Sequence, residues 1–385
     1  MQMWVYIVRR FLLLIPVVLG VMTITFILVT GIPTSERCLA TIGPPPTHGG
    51  QPAKDAYTAH CDKLLGLNQP VTTQWGIYMA NTMTFHWGIV GNDSTASSVI
   101  PVIAGVPVVT ALGWLLPYTI ELAILSPAII LVVSIPLGQL SAVHRNRPVD
   151  QASRVMSFSG YALPTYLLAA LSLIALVLLI SNYHWAGCGG PFNEVYGSWP
   201  APSCIPDSTP SNLNYPPWLL FGTVSTPTGF PTVDAAIHGE WGLAADTLFR
   251  ILLPALIIAY GSIAILLRFV RNSMLEVMNL DFVRTARAKG VSESVVVKRH
   301  AGRNSLNVTV TVLGLTFAGF IGGFPIIEEV FGLQGVGRAL ALSVQQPYDL
   351  GLIFGSTILF TLIVVLANLI VDIVYAYLDP RVRLG

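Results

Sequence analysis

Hydrophobic and polar positions alternate along this chain on the scale of whole segments. Six apolar runs, near 11–31, 115–137, 155–181, 251–270, 308–327 and 350–375, are separated by polar stretches. A helix of about 20 apolar residues crosses the ~30 Å hydrocarbon core of a bilayer. The pattern therefore predicts an all-α polytopic membrane protein with six transmembrane helices. Between the fourth and fifth runs, residues 284–304 read RTARAKGVSESVVVKRHAGRN, too basic to lie in lipid. Within and just before that stretch, 281–289 is expected to form a helix, and Gly290 to supply the φ > 0 residue that ends it. Ser292 is then expected to cap a second helix running through Val295, Val296 and Val297 to His300.

Composition agrees with the pattern. Of 385 residues, 53% are hydrophobic and 10% charged, outside the usual range of soluble domains in both respects. Orientation follows from the cations. Arg9 and Arg10 precede the first run, and Arg145, Arg147 and Arg154 follow the second. Arg268, Arg271, Arg284, Arg287, Lys289, Lys298, Arg299 and Arg303 fill the fourth connection, and Arg381 and Arg383 end the chain. That side is expected to be the cytoplasm, with both termini on it, in a multi-pass protein of the cell membrane. The first run is too long for a signal core and lacks a small-residue cleavage site, so it is expected to remain as an anchor.

The expected organisation is 1–31 (terminus and first helix), 32–113 (extracytoplasmic), 114–182 (helices two and three), 183–249 (extracytoplasmic insertion) and 250–385. The last part holds helices four to six and a cytoplasmic loop at 271–304. In 32–113 a Pro/Gly-rich stretch precedes a helical segment near 55–65, and an apolar run at 99–116 leads back to the membrane. The 183–247 part is rich in Pro, Gly, Ser and Trp, with little periodicity. All four cysteines fall on the outside, Cys38 and Cys61 in one segment, Cys188 and Cys204 in the other. On an oxidising face they are expected to form disulfides, with 38–61 and 188–204 favoured among three connectivities. Free or metal-binding thiols are the rival reading.

No GxxxxGK[ST], HExxH or GxSxG occurs, and no pair of histidines shares a helix face. The chain is thus expected to be neither an ATPase nor another enzyme, and to hold no metal site. Glu121 and Asp372 fall inside apolar runs, where a charge either serves a path or proton relay or is a buried partner holding helices together; the second role is favoured. Gly319, Gly322 and Gly323 suit close helix packing, with a translocation path as the alternative. Glu328 and Glu329, with Gly335 and Gly337 nearby, read either as an outer gate or docking point or as a solvated acidic turn.

The basic loop resembles the signature of ABC importer permeases, an EAA triplet, three residues, a glycine and a further helical segment. Arg284, Thr285 and Ala286 stand at the triplet and Gly290 at the glycine. RTARAKG together with Arg299, His300, Arg303 and Asn304 resembles the spelling of the dipeptide/oligopeptide/nickel branch. Other segments agree over most of the chain: RRFLLLIPVVLG from Arg9, LGLNQP from Leu65, LPYTIELA from Leu116, EVF from Glu329, GVGR from Gly335 and LDPR from Leu378. The outside face departs from that branch in GIPTSERC after the first run and in the length of 183–247.

This resemblance implies a type I ABC importer permease, half of a translocation path for di- or oligopeptides, with nickel chelates or oligosaccharides as alternative cargo. It implies as partners a second homologous permease, two ATPase subunits that bind ATP and Mg, and an extracytoplasmic binding protein. It also implies surrounding membrane lipid and no nucleic-acid partner. It further implies that the helix before Gly290 docks on an ATPase, with Arg284, Arg287 and Lys289 facing the partner and Ala286 and Ala288 allowing close approach. A proton-coupled secondary transporter using Glu121 and Asp372 is the rival class; the inverted repeats that would favour it are not found. An intramembrane enzyme would need a nucleophile and base at matching depth, and none is visible.

Overall fold

The computed structural model describes residues 3–34, 37–38, 50–92, 94–100, 103–182, 228, 230–239, 241–305 and 324–378. The described part is helical throughout, with one isolated bridge between Ile89 and Pro107. In chain order the elements are α1 (Met3–Thr30), α2 (Gly50–Leu65), α3 (Val71–Met83), α4 (Thr95–Val99), α5 (Val108–Val143), α6 (Pro148–Ala162), α7 (Thr165–Asn182), α8 (Pro231–Ile237) and α9 (Trp241–Val277). There follow α10 (Asp281–Ala288), then α11 (Glu293–Val295), which runs on as π-helical turns over Val296–Ala301. Last come α12 (Phe324–Phe331), α13 (Val336–Ser343) and α14 (Leu350–Leu378).

Phe11–Thr30, Val108–Val143, Ile251–Val277 and Leu350–Leu369 are each long and apolar enough to cross a membrane. Three differences from the sequence expectation stand out. First, the third span is not one helix. α6 and α7 meet at 107°, because Pro164 lacks an N–H and holds Leu163 in extended backbone (φ −90°, ψ 120°). Second, α5 starts at Val108 rather than near 115, and the run 99–116 is divided between α4, a turn and the start of α5. At 36 residues, α5 is about 54 Å long and outreaches the hydrocarbon core. Third, the fourth helix continues to Val277, so Arg268 and Arg271 lie on α9 rather than in a loop. The fifth expected span, 308–327, falls mostly outside the described residues.

α5 and α9 form the centre, and glycines set their spacing. A Cβ on Gly138 would lie 2.7 Å from Val270, and one on Gly160 of α6 would lie 2.6 Å from Ala264 of α9. Small residues are what allow helices to approach this closely inside lipid. Leu122, Ile130, Ile251, Ile258, Leu266 and Phe324 belong to the core built around that pair. α1 stands at the edge against α14 and α3. Its Phe11, Leu12, Ile24, Ile27 and Leu28 are exposed, as a lipid-facing helix requires.

Where 183–249 was expected to be irregular, its described end carries α8 and the start of α9. Helix α3 was not expected at all, since its Thr- and Gln-rich start masks the periodicity. Cys38 and Cys61 are bonded to each other; Cys188 and Cys204 lie outside the described residues.

Candidate functional site

The basic loop folds as a hairpin on the ends of α5 and α9. Helix α10 stops in a glycine-capped turn: the Gly290 N–H reaches the Arg287 carbonyl at 3.0 Å and the Val291 N–H the Ala286 carbonyl at 3.2 Å, with Gly290 at φ +76°. Nothing lies within 4 Å of where a Gly290 Cβ would stand. The glycine therefore serves backbone conformation rather than close approach within this chain.

Beneath the elbow Val283, Ala286, Val296 and Ala301 join Ala142 of α5 and Met274 of α9 in one apolar cluster. The return strand of the hairpin is tied down as well. Ser273 Oγ donates to the Ser305 carbonyl at 3.0 Å, and a Cβ on Gly302 would lie 3.2 Å from Gln139 of α5.

Outside that seat the hairpin is charged. Arg287 straddles the elbow and grips Glu293 with two bonds, Nε to Oε2 at 3.0 Å and Nη2 to Oε1 at 2.7 Å. The guanidinium holds the Glu293 carboxyl below its ordinary value, so the pair stays ionised around neutral pH. Arg284 is exposed and 3.6 Å from Asp281, and Thr285 Oγ1 bonds the Asp281 carbonyl. Lys289, Arg299, Arg303 and Asn304 are exposed and His300 is half-buried.

Ala286 is buried in the hairpin's own apolar cluster with its carbonyl accepting from the Val291 N–H, and Ala288 is exposed. The expected Ser292 cap needs correction. Ser292 precedes α11 but its side chain makes no capping bond, the Arg287–Glu293 pair and the Ser292 carbonyl holding that start instead. Of the three valines, Val296 is fully buried while Val295 is 41% exposed.

Sequence reasoning missed the group behind the hairpin. Asp150, at the start of α6, is fully buried. Its Oδ1 accepts from Arg271 Nε at 2.6 Å and Ser141 Oγ at 2.8 Å. Its Oδ2 accepts from Arg154 Nη2 at 2.8 Å, the Asn146 N–H at 2.9 Å and Arg271 Nη2 at 3.1 Å. One carboxylate thus binds the α5–α6 turn, α6 and α9 at the level where the hairpin sits. The available signal was a lone acid amid Arg145, Arg147, Arg154 and Arg271, which read as an orientation count.

At the opposite end α12 and α13 form a second hairpin. Glu328 is 1% exposed, which removes the solvated-turn reading for it. Its Oε1 accepts from Thr119 of α5 at 2.8 Å and its Oε2 from the Arg338 N–H at 3.0 Å, while the Val336 N–H donates to Thr119 Oγ1 at 2.9 Å. Gly335 and Gly337 have no room for a side chain against Glu328 and Pro325. Glu329 is half-buried and pairs with Arg338 at 3.4 Å. Glu121 accepts from Thr232 N–H and Oγ1 at 3.2 and 3.3 Å, joining α5 to α8. Gly319, Gly322 and Gly323 lie outside the described residues, as does the side chain of Asp372.

Residues 134–384 match the model of the family described as binding-protein-dependent transport system inner membrane component. This stretch contains the basic hairpin, the Asp150 group and the α12–α13 hairpin. Among curated proteins, the chain is 31% identical over 385 residues to the probable D,D-dipeptide transport system permease protein DdpB of Escherichia coli (strain K12), covering 100% of this chain and 99% of the relative. It is 30% identical over 378 residues to the dipeptide transport system permease protein DppB of the same strain, covering 98% of each. The oligopeptide transport system permease protein AppB of Bacillus subtilis (strain 168) is 30% identical over 379 residues, covering 98% of this chain and 99% of the relative.

Proposed function

Because the chain belongs to the family of binding-protein-dependent transport system inner membrane components, we propose that it is the membrane-spanning subunit of an ATP-driven importer of di- or oligopeptides. Dipeptides and oligopeptides are the cargo for which its relatives are named. In this reading the basic end faces the cytoplasm, and six helices form half of the path with a second homologous permease. An extracytoplasmic binding protein delivers the peptide. Two ATPase subunits bind ATP and Mg and drive the cycle.

The observation that carries the reading is the basic hairpin. Its apolar side is seated on the ends of α5 and α9, and its elbow and cations face away from the chain. A rigid element packed on two spans on one side and unpartnered on the other is suited to pass a displacement from a separate subunit into the membrane. The Gly290 elbow serves that role by keeping α10 short and turned. Arg284, Lys289 and Arg299 supply donors for acidic or carbonyl groups of the partner. The Asp150 group makes the ends of α5, α6 and α9 move as one block.

The test is reconstitution of the full complex in vesicles with Gly290→Val. A β-branched residue at φ +76° is strained, and the elbow is expected to shift. Peptide uptake and peptide-stimulated ATP hydrolysis should fall together by about tenfold or more, equivalent to a coupling change of about 1.4 kcal/mol. Wild-type uptake should stop on ATP depletion and persist with a proton ionophore. Unchanged uptake by the variant, or transport by this chain alone, would overturn the proposal.

A further inference from the structure

From Leu64 to Asn92 the chain contains no Asp, Glu, Lys or Arg, whereas α2 just before it carries Lys54, Asp55, Asp62 and Lys63. Helix α3 lies in that uncharged window, and it does not stand away from the bundle. Met79 packs with Met22 of α1 and Ile358 of α14. The Tyr78 ring stacks on Phe26 at 5.5 Å and meets Phe354 at 4.6 Å, and Trp75 Nε1 donates to Thr23 Oγ1 at 3.2 Å. Every α1 residue in these contacts falls within Phe11–Thr30, and both α14 residues fall within Leu350–Leu369, the apolar stretches fit to cross the bilayer.

At the same level α1 shows Ile24, Ile27 and Leu28 outward, each 59–70% exposed. On α3 and its exit loop Val71, Met83, Phe85 and Ile89 are exposed as well. Trp75, half-exposed with a bonded N–H, is the kind of side chain that settles at headgroup depth.

The end of α3 adds a second, independent observation. The Phe85 N–H reaches the Thr82 carbonyl at 3.3 Å and the His86 N–H the Asn81 carbonyl at 2.9 Å, so the helix is closed by a residue in left-handed backbone. That position usually holds glycine. Here it holds Phe85 at φ +59°, and the ring is 65% exposed, so burial within the chain does not offset the strain. Trp87 beside it is fixed by a bond from Nε1 to the Thr82 carbonyl at 3.0 Å, and its ring lies 5.7 Å from that of Phe85. A strained backbone that holds an apolar ring outward, next to Met83 and Ile89, forms an apolar tip.

We propose that 71–89 is a membrane foot: α3 lies among the headgroups of the leaflet on the disulfide side, with Met83, Phe85 and Ile89 inserted into its acyl chains. Phospholipid is the occupant that fits. Helix α3 is packed on α1 and α14 within the stretches fit to cross the bilayer, and its Thr, Gln, Asn, Trp and Tyr without formal charge suit an interface.

A benzophenone amino acid placed at Met83, Phe85 or Ile89, and at Thr58 of α2 as control, tests this in the full chain. It is to be used both in native membranes and in phosphatidylethanolamine/phosphatidylglycerol nanodiscs. Phospholipid adducts, read by mass, should form at the three tip positions in both settings at about ten times the Thr58 yield, as the depth preference of apolar side chains implies. Adducts to another protein chain, or a lipid yield no higher than at Thr58, would overturn the proposal. Phe85→Gly, which suits the backbone, should leave the melting temperature in detergent undiminished. A large loss would assign Phe85 to the chain's own packing and overturn the proposal as well.

Discussion

The hairpins at the two ends of the bundle are assembled from the same parts and put to opposite use. In each, a short helix closes on a glycine in left-handed backbone, Gly290 at φ +76° and Gly332 at φ +64°. The next residue bonds back to the last turn in both, Val291 to Ala286 and Leu333 to Glu328, and in both an arginine–glutamate pair crosses the turn. They differ in where the remaining acid goes. At the basic end the acid is Glu293 itself, at the surface and paired with Arg287. At the other end Glu328 is buried on Thr119 of α5, and Gly335 and Gly337 beyond the turn have no free space. One hairpin is seated by apolar contacts and presents its charge outward; the other is locked into the bundle by a carboxylate. The comparison teaches that a shared turn geometry says little about role, and that the surroundings of the charge decide it.

Substitutions can break that contrast, the strongest where burial is complete. Asp150→Ala should destabilise the protein by about 3–5 kcal/mol, because Arg271 is left with an uncompensated buried charge; the loss is read as a fall in melting temperature of the purified chain. Gly337→Val should cost about 3 kcal/mol or more by overpacking against Pro325, read in the same melt, whereas Gly290→Val should cost only the backbone strain of about 1–2 kcal/mol and still fail in transport. Cys61→Ser should cost about 3 kcal/mol, from the 23-residue separation of the bonded pair, and reductant should lower the wild-type melt similarly. The smallest effect is expected for Glu293→Ala, less than about 1 kcal/mol for an exposed pair. Because Arg287 lowers the folded Glu293 value below the ordinary 4.5, the pair's contribution is fully present above that pH. It is lost as pH falls through the lowered value. Thermal stability should therefore show no Glu293-dependent step near neutral pH, and a step that vanishes in Glu293→Ala would contradict the pairing.

Much of the basic hairpin was legible in the sequence. Gly290, the helix before it and the exposed position of Arg284, Arg287 and Lys289 follow from local backbone preference and from charge. That Ala286 is buried under its own turn was not legible, because its small size suits packing against a partner equally well. Asp150 was overlooked because a single acid in a basic loop has no pattern. Its five hydrogen bonds come from residues as distant as Ser141 and Arg271. Glu328 admitted two readings for the same reason, since its partner Thr119 lies 209 positions away.

The sequence by itself determined four long apolar helices fit to cross a bilayer, the end that carries the cations, and the turn at Gly290. Each of these depends on transfer of local side chains from water or on one residue's backbone freedom. The tertiary structure decided the 107° turn between α6 and α7, the burial of Asp150 and Glu328, and the placement of α3 along α1. Proline at 164 signals that a helix breaks but not the direction it then takes. Whether a carboxylate is buried or solvated is set by donors brought from elsewhere in the chain, and only packing brings them together.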